Sequence, residues 1–214
     1  MAILQEHVEA YLRSLRPERN PVMAEMEVLA ERDSVPIVQW EAGRFLATLC
    51  RAGDPRVLEV GTAIGYSALH MAEALEHGKL VTLEIDPARA ATARRFLDDA
   101  GVGERVEIVE GDARQTLTEL DGPFDMLFLD AKKDQYRDYL RLAEPLMSER
   151  AVLVVDNLLM SGEVALPHDA DTFWADESLA AAREFNSELL HSERWLGSVL
   201  PIGDGMGFAA RRAA

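Results

Sequence analysis

The chain has 214 residues, of which 22 are Lys or Arg and 38 are Asp or Glu, for a formal net charge of −16. That balance excludes a basic nucleic-acid face and disfavours docking on anionic lipid. Hydrophobic residues make up 48%, too many for a disordered chain, and the length suits one domain with an ample core.

The opening stretch carries acids and no uninterrupted apolar run, so no signal peptide is expected there. Ala2 to Leu15 spaces Ile3, Leu4, Val8, Tyr11, Leu12 and Leu15 as a helix does, and Arg16-Pro17 ends it. Pro21 to Arg32 predicts a second helix with Met23, Met26 and Leu29 on one face, and Val38 to Leu49 a third. The lone cysteine, Cys50, excludes an intrachain disulfide and allows a reducing compartment, so a cytoplasmic location is expected. Residues 1–53 thus read as a helical extension of a core over 54–214, within one domain spanning 1–214.

From there short β-branched runs alternate with helical stretches. Strands are predicted over 56–60, 80–86, 105–111, 124–130 and 151–157. Helices fill 66–77, 87–101, a short stretch to Leu120, and 135–147. That alternation means βαβ units and a parallel sheet. The continuous apolar runs Met126 to Leu129 and Ala151 to Val155 suit central strands covered on both faces. After a helix from Ser178 to His191, two strand-like segments are joined through Gly203-Asp204-Gly205, a hairpin signal. The expected fold is α/β: a doubly wound, seven-stranded, mostly parallel sheet closed by an antiparallel hairpin. No stretch of 18 apolar residues exists, so no membrane span is expected.

Ligands of such sheets sit beyond the carboxyl ends of the strands. The first strand ends in Glu59-Val60-Gly61-Thr62-Ala63-Ile64-Gly65 and runs into a helix. Glu84, at the end of the second, stands where an acid accepts hydrogen bonds from ribose hydroxyls. Asp112 opens the helix after the third strand, and reads equally as an N-cap or as part of a base pocket. The glycine spacing is G-x-x-x-G, not the G-x-G-x-x-G that cradles a pyrophosphate. The acid before it, Glu59, would repel a pyrophosphate and suit a sulfonium, which points to S-adenosylmethionine rather than a nicotinamide dinucleotide.

The fourth and fifth strands end in Asp130 and in Asp156-Asn157. Two carboxylates and an amide are hard oxygen donors that suit Mg²⁺, Mn²⁺ or Ca²⁺. The five histidines show no zinc-type clustering. Only three residues are lysine (Lys79, Lys132, Lys133), and two of them directly follow Asp130-Ala131. Lysine, unlike arginine, can serve as a base once its pKa is lowered from about 10.4.

Taken together, Leu58-Glu59-Val60-Gly61-Thr62-Ala63-Ile64-Gly65-Tyr66-Ser67, Leu83-Glu84-Ile85-Asp86-Pro87, Gly111-Asp112-Ala113, Leu129-Asp130-Ala131-Lys132-Lys133-Asp134-Gln135-Tyr136 and Val155-Asp156-Asn157 resemble the metal-dependent class I O-methyltransferases. This is the group of catechol and caffeoyl-CoA O-methyltransferases and their bacterial relatives. The resemblance runs from about Pro36 to Arg212, and Leu200-Pro201-Ile202-Gly203-Asp204-Gly205 is similar to the bacterial members. It implies a Rossmann-like fold, S-adenosylmethionine as cofactor, a homodimer, and a vicinal-dihydroxy phenolic substrate, catechol-like or phenylpropanoid. It implies that Asp130, Asp156 and Asn157 bind the cation and that Lys133 is the catalytic base. Glu59, Gly61, Thr62, Ser67 and the backbone near Val38 would surround the methionine portion of the cofactor. Glu84 would hold its ribose, Asp112 and Ala113 would lie by its adenine, and Ile85 and Asp130 would also contact it. Animal catechol enzymes carry a further acid that contacts the substrate hydroxyls, and no residue here is assigned to it. Residues 166–174 fall where substrate loops vary; Phe173, Trp174 and Trp40 either flank an aromatic ring or simply pack.

Two alternatives remain at this point. A nicotinamide-dependent oxidoreductase would need the pyrophosphate motif that is missing. A non-catalytic cofactor-binding protein would tolerate loss of the metal ligands or the lysine, yet all four positions are filled.

Overall fold

The computed structural model describes residues 4–167 and 169–213. Three helices come first: α1 (Glu6–Ser14), α2 (Pro21–Asp33) and α3 (Trp40–Gly53). The Asn20 side chain caps α2 by accepting from the Val22 amide at 2.8 Å, and Pro21 follows at the first helical position. Helix α3 starts at Trp40, two residues later than the sequence pattern predicts.

Strands and helices then alternate: β1 (Val57–Val60), α4 (Tyr66–Ala74), β2 (Leu80–Glu84), α5 (Pro87–Asp99), β3 (Val106–Glu110), α6 (Ala113–Thr116), β4 (Phe124–Leu129), α7 (Tyr136–Ala143) and β5 (Met147–Val155). Helix α8 (Asp176–Leu190) leads into β6 (Trp195–Leu200) and β7 (Met206–Arg211). Helix α4 ends before His77 because the Asp54 carboxylate takes the amides of Glu76, His77 and Gly78. Helix α7 stops at Ala143, short of the predicted Met147. Pro145 interrupts the α-helical ladder, a single 3₁₀ turn follows, and β5 begins at Met147.

The sheet order is β3-β2-β1-β4-β5-β7-β6. Strands β1 to β5 pair in parallel, whereas β7 pairs antiparallel with both β5 and β6. This is the seven-stranded, doubly wound arrangement that the sequence predicts. Both faces of the central strands are buried, in two apolar layers. One holds Leu46, Leu69, Phe96 and Phe128 with the N-terminal helices, and the other Leu58, Phe124, Leu153 and Phe185. Among the described residues no helix is long and apolar enough to cross a membrane.

Candidate active site

Strand register sets the site. Val60 pairs with both Leu83 and Leu129, and Leu129 pairs with Val155. The residue after each, namely Gly61, Glu84, Asp130 and Asp156, therefore emerges along one line at the carboxyl edge. Strand order reverses between β1 and β4, so this row lies at the topological switch point.

Gly61 has φ +106°, and a Cβ there would overlap the backbone carbonyl of Asp130. Only glycine permits that approach of two strand ends. A cavity of about 340 Å³ opens above, lined by Gly61, Glu84, Ile85, Asp112, Ala113 and Asp130 among others. The Glu84 carboxylate is fixed by the amides of Ala63 (2.7 Å) and Asp86 (3.0 Å), which leaves lone pairs for ligand hydroxyls. Ile85 is 69% exposed, an apolar side chain held at the rim. Asp112 is a helix cap that also faces the cavity. It caps α6 by accepting from the Arg114 amide at 2.9 Å, and it lines the cavity. The Arg114 guanidinium beside it holds its carboxyl below the usual range.

Four other predicted cofactor residues stand behind this wall. Glu59 is fully buried and accepts from Ser67 Oγ (2.5 Å) and Thr82 Oγ1 (2.6 Å). Thr62 is also buried, its hydroxyl 2.6 Å from that of Thr82. Burial pushes the Glu59 carboxyl up to about 7, against the opposing pull of the two hydroxyl bonds. Val38 lies in the apolar core, and Pro36, two residues earlier, reaches the cavity instead. Val38, Glu59, Thr62 and Ser67 are therefore not among the residues that line the cavity.

The catalytic half divides the two lysines. Lys132 is exposed and pairs with Asp134 at 3.2 Å. Lys133 is half-buried, with Nζ 3.3 Å from Asp130 Oδ1. Asp156 is 4% exposed, and its Oδ1 is buried without any hydrogen-bond partner. Burial, reinforced by the neighbouring Asp130 carboxylate, pushes it up to about 8. Tyr136 donates its hydroxyl to the Asp156 backbone carbonyl at 3.1 Å. Asn157 follows in the left-handed region at φ +63°. An orphaned, buried carboxylate oxygen beside a second acid and an amide fits a hard divalent cation. Among the described residues no three His, Cys, Asp or Glu form a metal-holding cluster, so the fit rests on two carboxylates and one amide.

The structure adds residues that the sequence pattern missed. Gln135 and Tyr139, bonded to each other at 2.7 Å, line the cavity beside Arg114. Asp204 lies in the β6–β7 turn, close enough to Asp156 for its charge to be felt there. Its glycine neighbours signalled only a turn. Of the three candidate aromatics, Phe173 and Trp174 meet edge to face at 5.6 Å, and the buried Glu163 carboxylate accepts both their amides. Phe173 is 87% exposed. Trp40 sits elsewhere, lining a cavity with Arg16, Tyr66 and His70. His168, in the same variable loop, lies outside the described residues.

The sheet order and the pocket at its switch point define an open α/β fold with a ligand-sized site at the carboxyl ends of its strands. The chain belongs to the O-methyltransferase family, whose pattern matches residues 14–212, and it is an O-methyltransferase. It is 37% identical over 194 residues to a catechol O-methyltransferase of Niastella koreensis, covering 86% of this chain and 85% of that one. It is 39% identical over 178 residues to a catechol O-methyltransferase of Mycobacterium tuberculosis, covering 80% and 81%. Among solved structures it is similar to the O-methyltransferase TomG of Streptomyces achromogenes, crystallised with S-adenosylmethionine. That match has 29% identity, a TM-score of 0.83, and 98% and 100% coverage. A Bacillus cereus O-methyltransferase in complex with SAH matches at 27% identity and TM-score 0.83, covering 96% and 97%. Family membership overturns the oxidoreductase alternative.

Proposed function

We propose that this O-methyltransferase moves the methyl group of S-adenosylmethionine to one hydroxyl of a catechol-like or phenylpropanoid vicinal diol. A divalent cation held by Asp130, Asp156 and Asn157 assists. The observation that carries the reading is the unpartnered, buried Asp156 Oδ1 in the same row as Asp130 and its neighbour Lys133. The catechol O-methyltransferase relatives and the cofactor-bound neighbours support it.

When bound, S-adenosylmethionine supplies an electrophilic methyl group and the cation supplies charge that acidifies a nearby hydroxyl. The chain's own residues do the rest. Glu84 accepts the ribose hydroxyls, and Ile85 and Ala113 shelter the adenine. Glu59, buried beneath Gly61, places negative charge under the sulfonium. Lys133 Nζ takes the proton from the attacking hydroxyl, and Asp130 orients that Nζ. The acceptor oxygen then forms its bond to carbon as the sulfur–carbon bond breaks, with positioning and charge as the main contributions. A homodimer belongs to the same proposal, supported by the exposed Tyr11, Leu15 and Val28 on and beside α1 and α2.

The test is transfer of labelled methyl to a panel of catechols. Activity should vanish with chelator and return with Mg²⁺. Activity that is indifferent to chelation rejects the cation role.

A further inference from the structure

The β6–β7 turn is built onto the segment that follows the candidate cation ligands. Its carbonyls at Asp204 and Gly205 accept the amides of Leu158 (2.8 Å, to Gly205), Leu159 (3.0 Å, to Asp204) and Met160 (3.2 Å, to Asp204). Gly205 has φ +89°, and a Cβ there would collide with Leu159, so the turn seats directly on this segment. The segment itself is wound tightly, with Asn157, Met160 and Ser161 all at positive φ.

Main-chain bonds therefore hold the turn in place. The Asp204 side chain adds one neutral bond, Ser161 Oγ donating to Oδ1 at 3.2 Å. No cation pairs with it among the described residues, and its turn is bonded to the segment that begins directly after Asn157. Asp204 therefore adds negative charge beside the candidate ligands, with no cation of its own to offset it among the described residues. Asp204 is not a third ligand, because no three acidic groups among the described residues stand close enough to share an ion.

We propose that Asp204 is an outer carboxylate of the cation centre. It raises affinity for a divalent ion by charge, and ion binding in turn steadies the β6–β7 turn on residues 158–161. This rests on the divalent-cation reading above. The residue acts through Asp156 and Asn157 and is a positioning residue. Bound cation offsets the charge of Asp204, so the bonds already made by the amides of Leu158 to Met160 open less often.

Asp204→Asn separates charge from shape, because an amide oxygen can still accept from Ser161 and the main-chain bonds are untouched. Full-length wild type and variant are titrated with Mn²⁺, the free ion being followed by paramagnetic resonance. The variant should bind Mn²⁺ about 10–100-fold more weakly, the usual cost of losing an outer partner. S-adenosylmethionine affinity, measured by calorimetry without metal, should stay the same. Mn²⁺ should slow hydrogen exchange at Leu158, Leu159 and Met160 in the wild type and much less in the variant. Asp204→Ser, which keeps the main-chain bonds, provides the same comparison if the Asn variant is unstable. Equal Mn²⁺ affinity in wild type and variant overturns the proposal and leaves the cation reading intact. A wild type that binds no Mn²⁺ overturns both.

Discussion

Glu59→Gln should stabilise the cofactor-free protein and weaken its hold on S-adenosylmethionine. Burial raises the Glu59 pKa from 4.5 to about 7. Below pH 4.5 the carboxyl is protonated in both folded and unfolded states and contributes no pH dependence. Between 4.5 and 7 the unfolded chain releases the proton while the folded one keeps it, so stability falls as pH rises. At about 1.4 kcal/mol per unit, the loss levels off near 3 kcal/mol above pH 7. His70 does the opposite. It is 7% exposed with an unpartnered Nε2, and burial lowers its pKa from 6.5 to about 4. The unfolded chain then takes up a proton that the folded one refuses, so stability falls by about 3 kcal/mol as pH drops through that window. The two slopes oppose each other over most of the same range, and their sum should be nearly flat. Urea midpoints from pH 4 to 8, in chelator and without cofactor, should show Glu59→Gln gaining stability over wild type as pH rises and keeping the gain above pH 7. A difference between the two proteins that does not change with pH refutes the assignment of a raised pKa to Glu59.

The remaining expectations are shorter. His70→Leu should remove the acid-side penalty, so that its advantage over wild type grows as pH falls from 6.5 to 4 in the same urea series. Gly61→Ala forces a Cβ onto the Asp130 carbonyl at φ +106°, and should cost about 1–3 kcal/mol and weaken S-adenosylmethionine binding at least tenfold by calorimetry. Lys133→Arg keeps a cation beside Asp130 but cannot take a proton. Turnover should fall about 10²–10⁴-fold while cofactor affinity is held, and near-normal turnover would clear Lys133 of the base role. Glu163→Gln weakens the clamp on the Phe173 and Trp174 amides, and limited proteolysis should then cut the 166–175 loop faster.

Much of this was legible in the sequence because the sheet carries its own period. Apolar strand runs that finish in Glu84, Asp130 and Asp156 announce both the strands and the edge where they end. What the pattern could not supply is depth. Glu59, Thr62 and Ser67 share a motif with Gly61, yet only Gly61 reaches the cavity, because strand and helix packing decide which side chains of a turn are covered. Nor could it bring the Asp204 turn onto residues 158–160, since that contact depends on β7 pairing antiparallel with β5 and returning the hairpin tip to the strand ends. Helix α7 was overrun for a local reason: Pro145 ended the ladder, but the apolar residues around it kept a helical rhythm.

The alignment of Val60 with Leu83 and Leu129, and of Leu129 with Val155, makes the sheet act as a ruler. Every functional strand end is measured from the same ladder rung. Loops beyond that rung can lengthen or change composition with little effect on it. A single residue inserted before the rung in β2, β4 or β5 would turn a charged strand end toward the opposite face of the sheet. The spacing within these strands is therefore fixed by the row of ends that it has to keep in line.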